Sequence, residues 1–418
     1  MKNPKQFGFF CFISFFLNLD KMFASRYIEK NIIYPPFIEA EVLPELTMIV
    51  MIPCLNEPGI IRTLESLWAC EPIQSFCEVI VAVNNSESCS PEVKAYNRET
   101  YQKLKVWKRQ NDRPNLILHP IYADSVQAKH AGAGMARKIG MDEAIRRFNA
   151  INRPDGIIVS LDADCLVSAN YLKRIEAVFV ENKSCFAATL NFEHRIGEME
   201  DQKQKLGIQL YEDYLHYYKK AHDFTGYPDS IYTIGSAFAV RAEAYVKQGG
   251  MNRRQAGEDF YFLYKLTKLG PVTEIKDAFV YPSARISDRV PFGTGASMTK
   301  WMNNAEDLTL TYNFAAFIDL KVLFDYVDSL FRIIPENYRL LMAAFPVSVQ
   351  EYLGTLDIEA KLNEINQNSS SLSSFRKRFF QFFDAFIILR FLNLAHEKHY
   401  HRQNLSEAIL QLQEYSEM

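Results

Sequence analysis

The sequence holds no apolar run long enough to cross a bilayer as a single helix, no Cys-x-x-Cys pair and no excess of basic charge. The longest candidate, Phe7–Leu19, falls short of the roughly 20 residues a spanning helix needs. Seven cysteines, scattered and odd in number, argue against a disulfide framework or a structural zinc site, and for reduced thiols in a cytosolic setting. A formal net charge of −3 makes nucleic acid a poor partner. Two glycine and histidine motifs also fail. Gly132-Ala133-Gly134 has Arg137 where a dinucleotide fingerprint needs its third glycine. His396 and His399 are three apart, whereas a zinc-protease helix needs four, so a solvated basic helix end is the better account.

What is present is a globular chain of 418 residues, 48% hydrophobic, long enough for two domains. Lys2 and Lys5 precede Phe7–Leu19, which is open to three readings: a packed or interfacial helix, a targeting segment, or residues upstream of a true start at Met22. Thr47–Pro53, Glu78–Val83, Asn115–His119, Ile157–Leu161, Cys185–Leu190, Ile234–Val240 and Glu274–Tyr281 read as strands. Helical patterns separate them, over Gly59–Ala69, Pro91–Gln110, Ser125–Phe148, Ala169–Val180 and Asp201–Ala221. Alternation of this kind means an α/β fold with a mainly parallel sheet flanked by helices. From about Asn303 the pattern turns helical, with Phe314, Phe317, Leu320, Leu323 and Phe324 on one stripe. Asn366–Ser374 looks like a polar loop or linker, and Phe375–Leu394 like a basic, phenylalanine-rich helix. The expected division is an N-terminal apolar extension (1–45), an α/β domain (46–300) and a helical C-terminal region (301–418).

Ligands of open parallel sheets bind outside the carboxyl ends of the strands. The turns after Pro53, Val83 and Leu161 should therefore converge. The last of them begins with Asp162-Ala163-Asp164. Strand residues i and i+2 point the same way, so both carboxylates can face one cleft. Two hard oxygen ligands suit Mg²⁺ or Mn²⁺ held together with substrate phosphates; an isolated Asp-x-Asp is equally an ordinary acidic turn. Glu258-Asp259 follows Gly257 and opens an amphipathic helix. Helix capping explains such a pair, and so does a general base that takes a proton from an attacking hydroxyl. Arg285 and Arg289, four apart in a glycine-containing loop, could close over a diphosphate or be solvated; Lys129 and Arg137 carry the same two readings. Tyr211, Tyr214, Tyr217 and Tyr218, with His216 and Tyr227, form either a packed core or a sugar-stacking surface.

Taken in order, these pieces resemble family 2 glycosyltransferases of the GT-A fold. Ile49–Glu57 is similar to the family's opening strand and its Pro-x-x-Asn-Glu turn. Val81–Ser86 stands where the family has Val-Asp-Asp-Gly-Ser, and Lys129–Gly140 resembles its helix of spaced small residues. Ser160–Asp164 resembles the Asp-x-Asp motif, Gly235-Ser236-Ala237 with Gly249-Gly250 the acceptor-side strand and turn, and Glu258-Asp259 the Glu-Asp motif. The resemblance covers roughly 47–297. It implies an inverting, divalent-metal-dependent transfer of a sugar from a nucleotide-diphosphate sugar to a hydroxyl acceptor, in cell-surface glycan or glycolipid synthesis. Pro53, Asn56, Glu57 and Asn84 would line base and ribose. Lys129, Arg137, Ala163, Arg285 and Arg289 would also contact the donor. Asp164 would bind the metal and Asp162 the metal or ribose. Asp259 would be the base and Glu258 an acceptor contact.

Asn84 departs from the aspartate that accepts from uracil N3–H, so the base stays open. The Gln-x-x-Arg-Trp signature of processive members is absent, which argues for single-sugar transfer. A nucleotidyltransferase is a rival, but Leu55–Gly59 is not its Gly-rich phosphate loop. An inactive sugar-nucleotide-binding protein is a second rival, and the intact acids argue against it. Peripheral contact with the inner membrane face is expected from Phe7–Leu19 and from Arg376–Arg378 beside the Phe-rich helix.

Overall fold

The computed structural model describes residues 22–253, 257–286 and 293–417. The chain divides into two compact units, one from the N-terminus to Arg195 together with Thr233–Ala296, the other Ile196–Tyr232 together with the chain from Ser297 onward.

The first unit is built on an eight-stranded sheet. Its strands are β1 (Leu46–Cys54), β2 (Phe76–Ser86), β3 (Leu116–Val126), β4 (Ile157–Ser160), β5 (Leu166–Val167), β6 (Ala187–Phe192), β7 (Phe238–Arg241) and β8 (Thr273–Tyr281), in the order β3-β2-β1-β4-β7-β6-β8-β5. Pairs β1–β2, β1–β4, β2–β3 and β6–β8 are parallel. Strand β7 runs antiparallel to β4 and β6, and β5 antiparallel to β8. This is the expected α/β class, of GT-A type. Met48–Ile52 and Cys77–Val83 are buried without interruption, the mark of parallel strands covered on both faces. Helices Ile60–Trp68, Pro91–Asn111, Ala133–Ala150 and Tyr171–Glu181 connect them.

Two expectations for this unit change. The stretch 125–148 is not one helix: β3 continues to Val126, pairing it with Ser86, a short turn follows at Ala128–His130, and the helix starts at Ala133. Pairing with β2 outweighs the local helical pattern. Gly235-Ser236-Ala237 lies before β7 and not within it. Buried charge also supports the sheet. Arg147 pairs with Glu78 of β2 and donates to the Ala40 carbonyl at 3.0 Å, tying the segment before β1 to the Ala133–Ala150 helix. On the same helix Asp142 accepts from Tyr27 (2.8 Å), Tyr245 (3.0 Å) and Lys138 (2.8 Å), fastening the Ser25–Asn31 helix.

The second unit is helical. Gln202–Phe224 groups with the C-terminal helices although it lies between β6 and β7 in the chain. The stripe Phe314, Phe317, Leu320, Leu323 and Phe324 is buried, as its spacing predicts. The tyrosine-rich helix packs against it: the Tyr217 hydroxyl donates to the Tyr312 carbonyl at 2.9 Å, and the Tyr217 and Phe317 rings are 5.9 Å apart. The 366–374 stretch holds a short loop, residues 368–371 between the helices Ile358–Gln367 and Leu372–Phe382, and not a linker between domains. Asn366 accepts from the Arg332 amide, and a Ser371/Ser374 capping box opens the helix Leu372–Phe382. That helix and Ala385–Lys398 are separated by a 59° bend, at Asp384, whose side chain caps the second helix through the Phe386 and Ile387 amides. His396 is structural: its Nδ1 lies 2.7 Å from the Leu392 carbonyl, and its Nε2 accepts from the Asn313 amide at 2.7 Å. Burial keeps its pKa below the ordinary value.

Candidate active site

Because β2, β1 and β4 are neighbours in parallel register, the turns at their carboxyl ends come together within the first unit. The turn after β1 carries Pro53, Asn56 and Glu57. Asn56 has a left-handed φ of 49°, a conformation asparagine tolerates. Its amide donates to Asn97 Oδ1 at 2.7 Å. Asn97 Nδ2 in turn donates to Asn85 Oδ1 (2.6 Å) and to the Asn84 carbonyl (3.2 Å). One buried side chain from the Pro91–Asn111 helix thus joins the turns after β1 and β2. The Asn84 side chain is buried as well, and neither its oxygen nor its nitrogen has a hydrogen-bond partner among the described residues.

The β4 turn is held from the other side. Thr63, on the helix that follows β1, donates to the Ala163 carbonyl at 2.8 Å. Ala163 is itself buried, leaving Asp162 and Asp164 half-exposed on either side of it. Glu57 is buried and accepts from the Gly59 amide at 2.8 Å. Arg285 lies across it, with Nη1 3.1 Å from Oε1 and Nη2 2.6 Å from Oε2, and the same Nη2 is 3.8 Å from Asp164 Oδ2.

Arg137 joins the two acidic motifs. It projects from the first turns of the Ala133–Ala150 helix and is almost completely buried. Nη2 donates to Asp162 Oδ1 at 2.6 Å and Nη1 donates to Glu258 Oε1. Gly257, at a left-handed φ of 70°, starts the helix Glu258–Leu266 and presents both acids in its first turn. Gly235 fills the remaining space. A Cβ there would stand 2.7 Å from Asp259 Oδ2 and 2.9 Å from Arg137 Nη2, so any larger residue has to displace one or both of these side chains. Ser160 on β4 fixes this glycine by donating to its carbonyl at 2.7 Å.

The electrostatics follow from the burial. Loss of solvent pushes the Glu258 carboxyl up to about 7; Arg137 pulls the other way, and the neighbouring Asp259 adds repulsion. Asp259 is raised above the ordinary aspartate value for the same first reason, offset in part by Arg137. Burial therefore outweighs the helix N-terminus, which would lower both.

Among the described residues no group of three or more His, Cys, Asp or Glu side chains is arranged to hold a metal ion. Among the described residues the candidate ligands for a divalent ion are Asp164 and Asp162, with Asp162 Oδ1 already engaged by Arg137. One or two carboxylates completed by water and phosphate oxygens is how Mg²⁺ is ordinarily held. The donor set therefore fits a hard cation that arrives with a diphosphate, and does not form a closed protein site.

The sequence-derived residues Pro53, Asn56, Glu57, Asn84, Arg137, Asp162, Ala163, Asp164, Glu258, Asp259 and Arg285 thus belong to linked turns of one unit. Lys129 is exposed on the Ala128–His130 turn that follows β3, with no ion pair among the described residues. Arg289 lies outside the described residues. Sequence reasoning missed Asn97 and Thr63. A signal existed for Asn97, an asparagine on the buried face of an otherwise highly charged helix.

No protein-family model matches the chain, and no curated protein matches it. Similar solved structures include S. aureus TarS 1–349 in complex with UDP-GlcNAc, at 12% identity and TM-score 0.40, covering 80% of this chain and 91% of that one. Another is the mannosyltransferase PcManGT from Pyrobaculum calidifontis in complex with GDP-Man and Mn²⁺, at 14% identity and TM-score 0.37, covering 92% and 93%. Likeness at this level identifies no relative, and function has to be argued from the geometry of the first unit.

Proposed function

We propose that the chain is an inverting glycosyltransferase of family 2 type, which moves a sugar from a nucleotide-diphosphate sugar to a hydroxyl acceptor. The observation that carries this reading is the Arg137 bridge. It sets an Asp-x-Asp turn and a Glu-Asp helix start on one guanidinium, at the carboxyl ends of parallel strands where such sheets bind ligands.

On this reading the nucleotide lies along the turns after β1 and β2, and its diphosphate reaches Asp164. Mn²⁺ or Mg²⁺ bound there by Asp164, with Asp162, would offset charge on the leaving diphosphate. Asp259 accepts the proton of the acceptor hydroxyl as its oxygen attacks the anomeric carbon. The bond from that carbon to the diphosphate oxygen breaks on the opposite face, the nucleoside diphosphate leaves with the electron pair, and the configuration inverts. A raised carboxyl pKa suits this step, because a general base works best when its pKa approaches the operating pH. Arg137 keeps the acids at fixed spacing, Glu258 positions the acceptor, and Arg285 is released from Glu57 to meet the diphosphate. We further propose a cytoplasmic enzyme of cell-surface glycan or glycolipid synthesis.

The test is a thermal-shift and turnover screen of nucleotide sugars with and without Mn²⁺. Stabilisation by one nucleotide class, only with metal, is expected. Turnover fully retained with chelator present would overturn the metal-dependent mechanism.

A further inference from the structure

One helix of the second unit buries nothing. Every residue of Pro335–Ala344 is at least partly open to solvent. Leu340 is 72% exposed, and Ile334 and Val347 at its two ends are 55% and 64% exposed. The stripe it turns inward, Tyr338, Leu341 and Met342, is only half-buried, with Phe345 buried just past its end; Leu340 on the helix and Ile334 and Val347 beside it stand out into solvent along this stretch.

Basic residues surround that stretch. Arg332 and Arg339 are exposed within it. The helix Leu372–Phe382 lies against its approach: the Phe331 and Phe375 rings are 5.5 Å apart, and Arg376 pairs with Asp328 at 2.6 Å. Phe375, Phe379 and Phe380 of that helix are buried, and its exposed side is Leu372 and Ser373 in the first turn followed by Arg376, Lys377 and Arg378. The acid on the stretch itself is Glu336; Asp328 lies before it, paired with Arg376, and Glu359 acts on Tyr338.

We propose that this surface, 332–347 with Lys377 and Arg378, docks on an anionic lipid bilayer. Apolar side chains flanked by arginine and lysine match a membrane interface, where the former enter the acyl boundary and the latter meet acidic headgroups. A second copy of the chain is the poorer occupant, because a two-fold contact sets the same patch against itself and opposes its cations. The proposed contact is peripheral: among the described residues no single helix is long and apolar enough to span, and the one bent pair that is, Leu372–Phe382 with Ala385–Lys398, buries Phe375, Phe379, Phe380, Ile388, Phe391 and Leu392 inside the protein. This inference does not depend on the chemistry of the first unit.

The test is co-flotation of the full chain with vesicles of phosphatidylcholine alone and with vesicles that also contain phosphatidylserine. Wild type is expected to float only with the anionic vesicles, and to be released by salt. Each Lys or Arg near such a surface is worth about fivefold in partitioning, so Lys377→Glu with Arg378→Glu should lose at least about twentyfold. Leu340→Glu with Val347→Glu should lose binding with an unchanged melting temperature, since both side chains are exposed. Equal binding to both vesicle types, or wild-type binding by both double variants, overturns the proposal. So does a concentration-dependent dimer, seen by sedimentation velocity, that Leu340→Glu abolishes.

Discussion

Arg137 and Asp162 are joined by a 2.6 Å bond from Nη2 to Oδ1, and the other terminal nitrogen of the same buried guanidinium is given to Glu258. A planar fork can serve two carboxylates at fixed spacing; a lysine ammonium cannot. Arg137→Lys should therefore keep the fold and lose turnover. Arg137→Ala leaves the buried Glu258 without its cation and should cost roughly 3–5 kcal/mol of stability. That cost should shrink on going from pH 8 to pH 5, where the raised carboxyls take up protons. Denaturant titrations at the two pH values check this.

Glu258 makes stability fall as pH rises. Its carboxyl is held at about 7 in the folded state against 4.5 ordinarily, so the folded protein binds the extra proton across that interval. The stability it contributes is present below pH 4.5 and is lost as pH rises through about 7. Glu258→Gln should flatten this part of the stability profile. Turnover should show the opposite trend on its acid side: it rises with pH as Asp259 ionises, with a midpoint above the ordinary aspartate value of 3.8.

Gly235 is a steric requirement of the site. Gly235→Ala places a methyl group 2.7 Å from Asp259 Oδ2 and 2.9 Å from Arg137 Nη2. Overpacking costs about 1–3 kcal/mol, and displacement of a catalytic group by about 1 Å costs on the order of 100-fold in rate. Gly197→Ala, with nothing within 4 Å of its Cβ, is the matched control and should be silent. Turnover of the two purified variants decides it.

Metal alone should not stabilise the protein. The described carboxylates form no three-ligand site, so Mn²⁺ without nucleotide should leave the melting temperature unchanged. Mn²⁺ with a nucleoside diphosphate should raise it, and Asp164→Ala should abolish the increment. A shift with Mn²⁺ alone would mean that a closed site forms without phosphate.

The parts of this molecule legible in the sequence are those set by local chemistry. Met48–Ile52 and Cys77–Val83 read as buried strands because covered parallel strands are apolar throughout. Asp162, Asp164, Glu258 and Asp259 could be located because strand ends and helix starts have fixed geometries. What stayed hidden depends on partners distant in the chain. Ser125 looks helical until β3 pairs with β2, and Leu166–Val167 is a strand only because β8 lies beside it. Arg137 read as one more cation for a diphosphate, since nothing local announces that its guanidinium ends on two acids. The Phe-rich helix could be read as interfacial or as packed; Phe375, Phe379 and Phe380 are buried, while Ile334, Leu340 and Val347 are the more exposed apolar residues.

The most direct test of the account is the turnover of Asp259→Asn against its affinity for the donor. Removing a general base costs about 10²–10⁴-fold in rate. The account predicts that loss in kcat, with the donor Kd within about twofold of wild type because Asp259 is the acceptor's base and not a donor ligand. Near-full turnover by Asp259→Asn would contradict it.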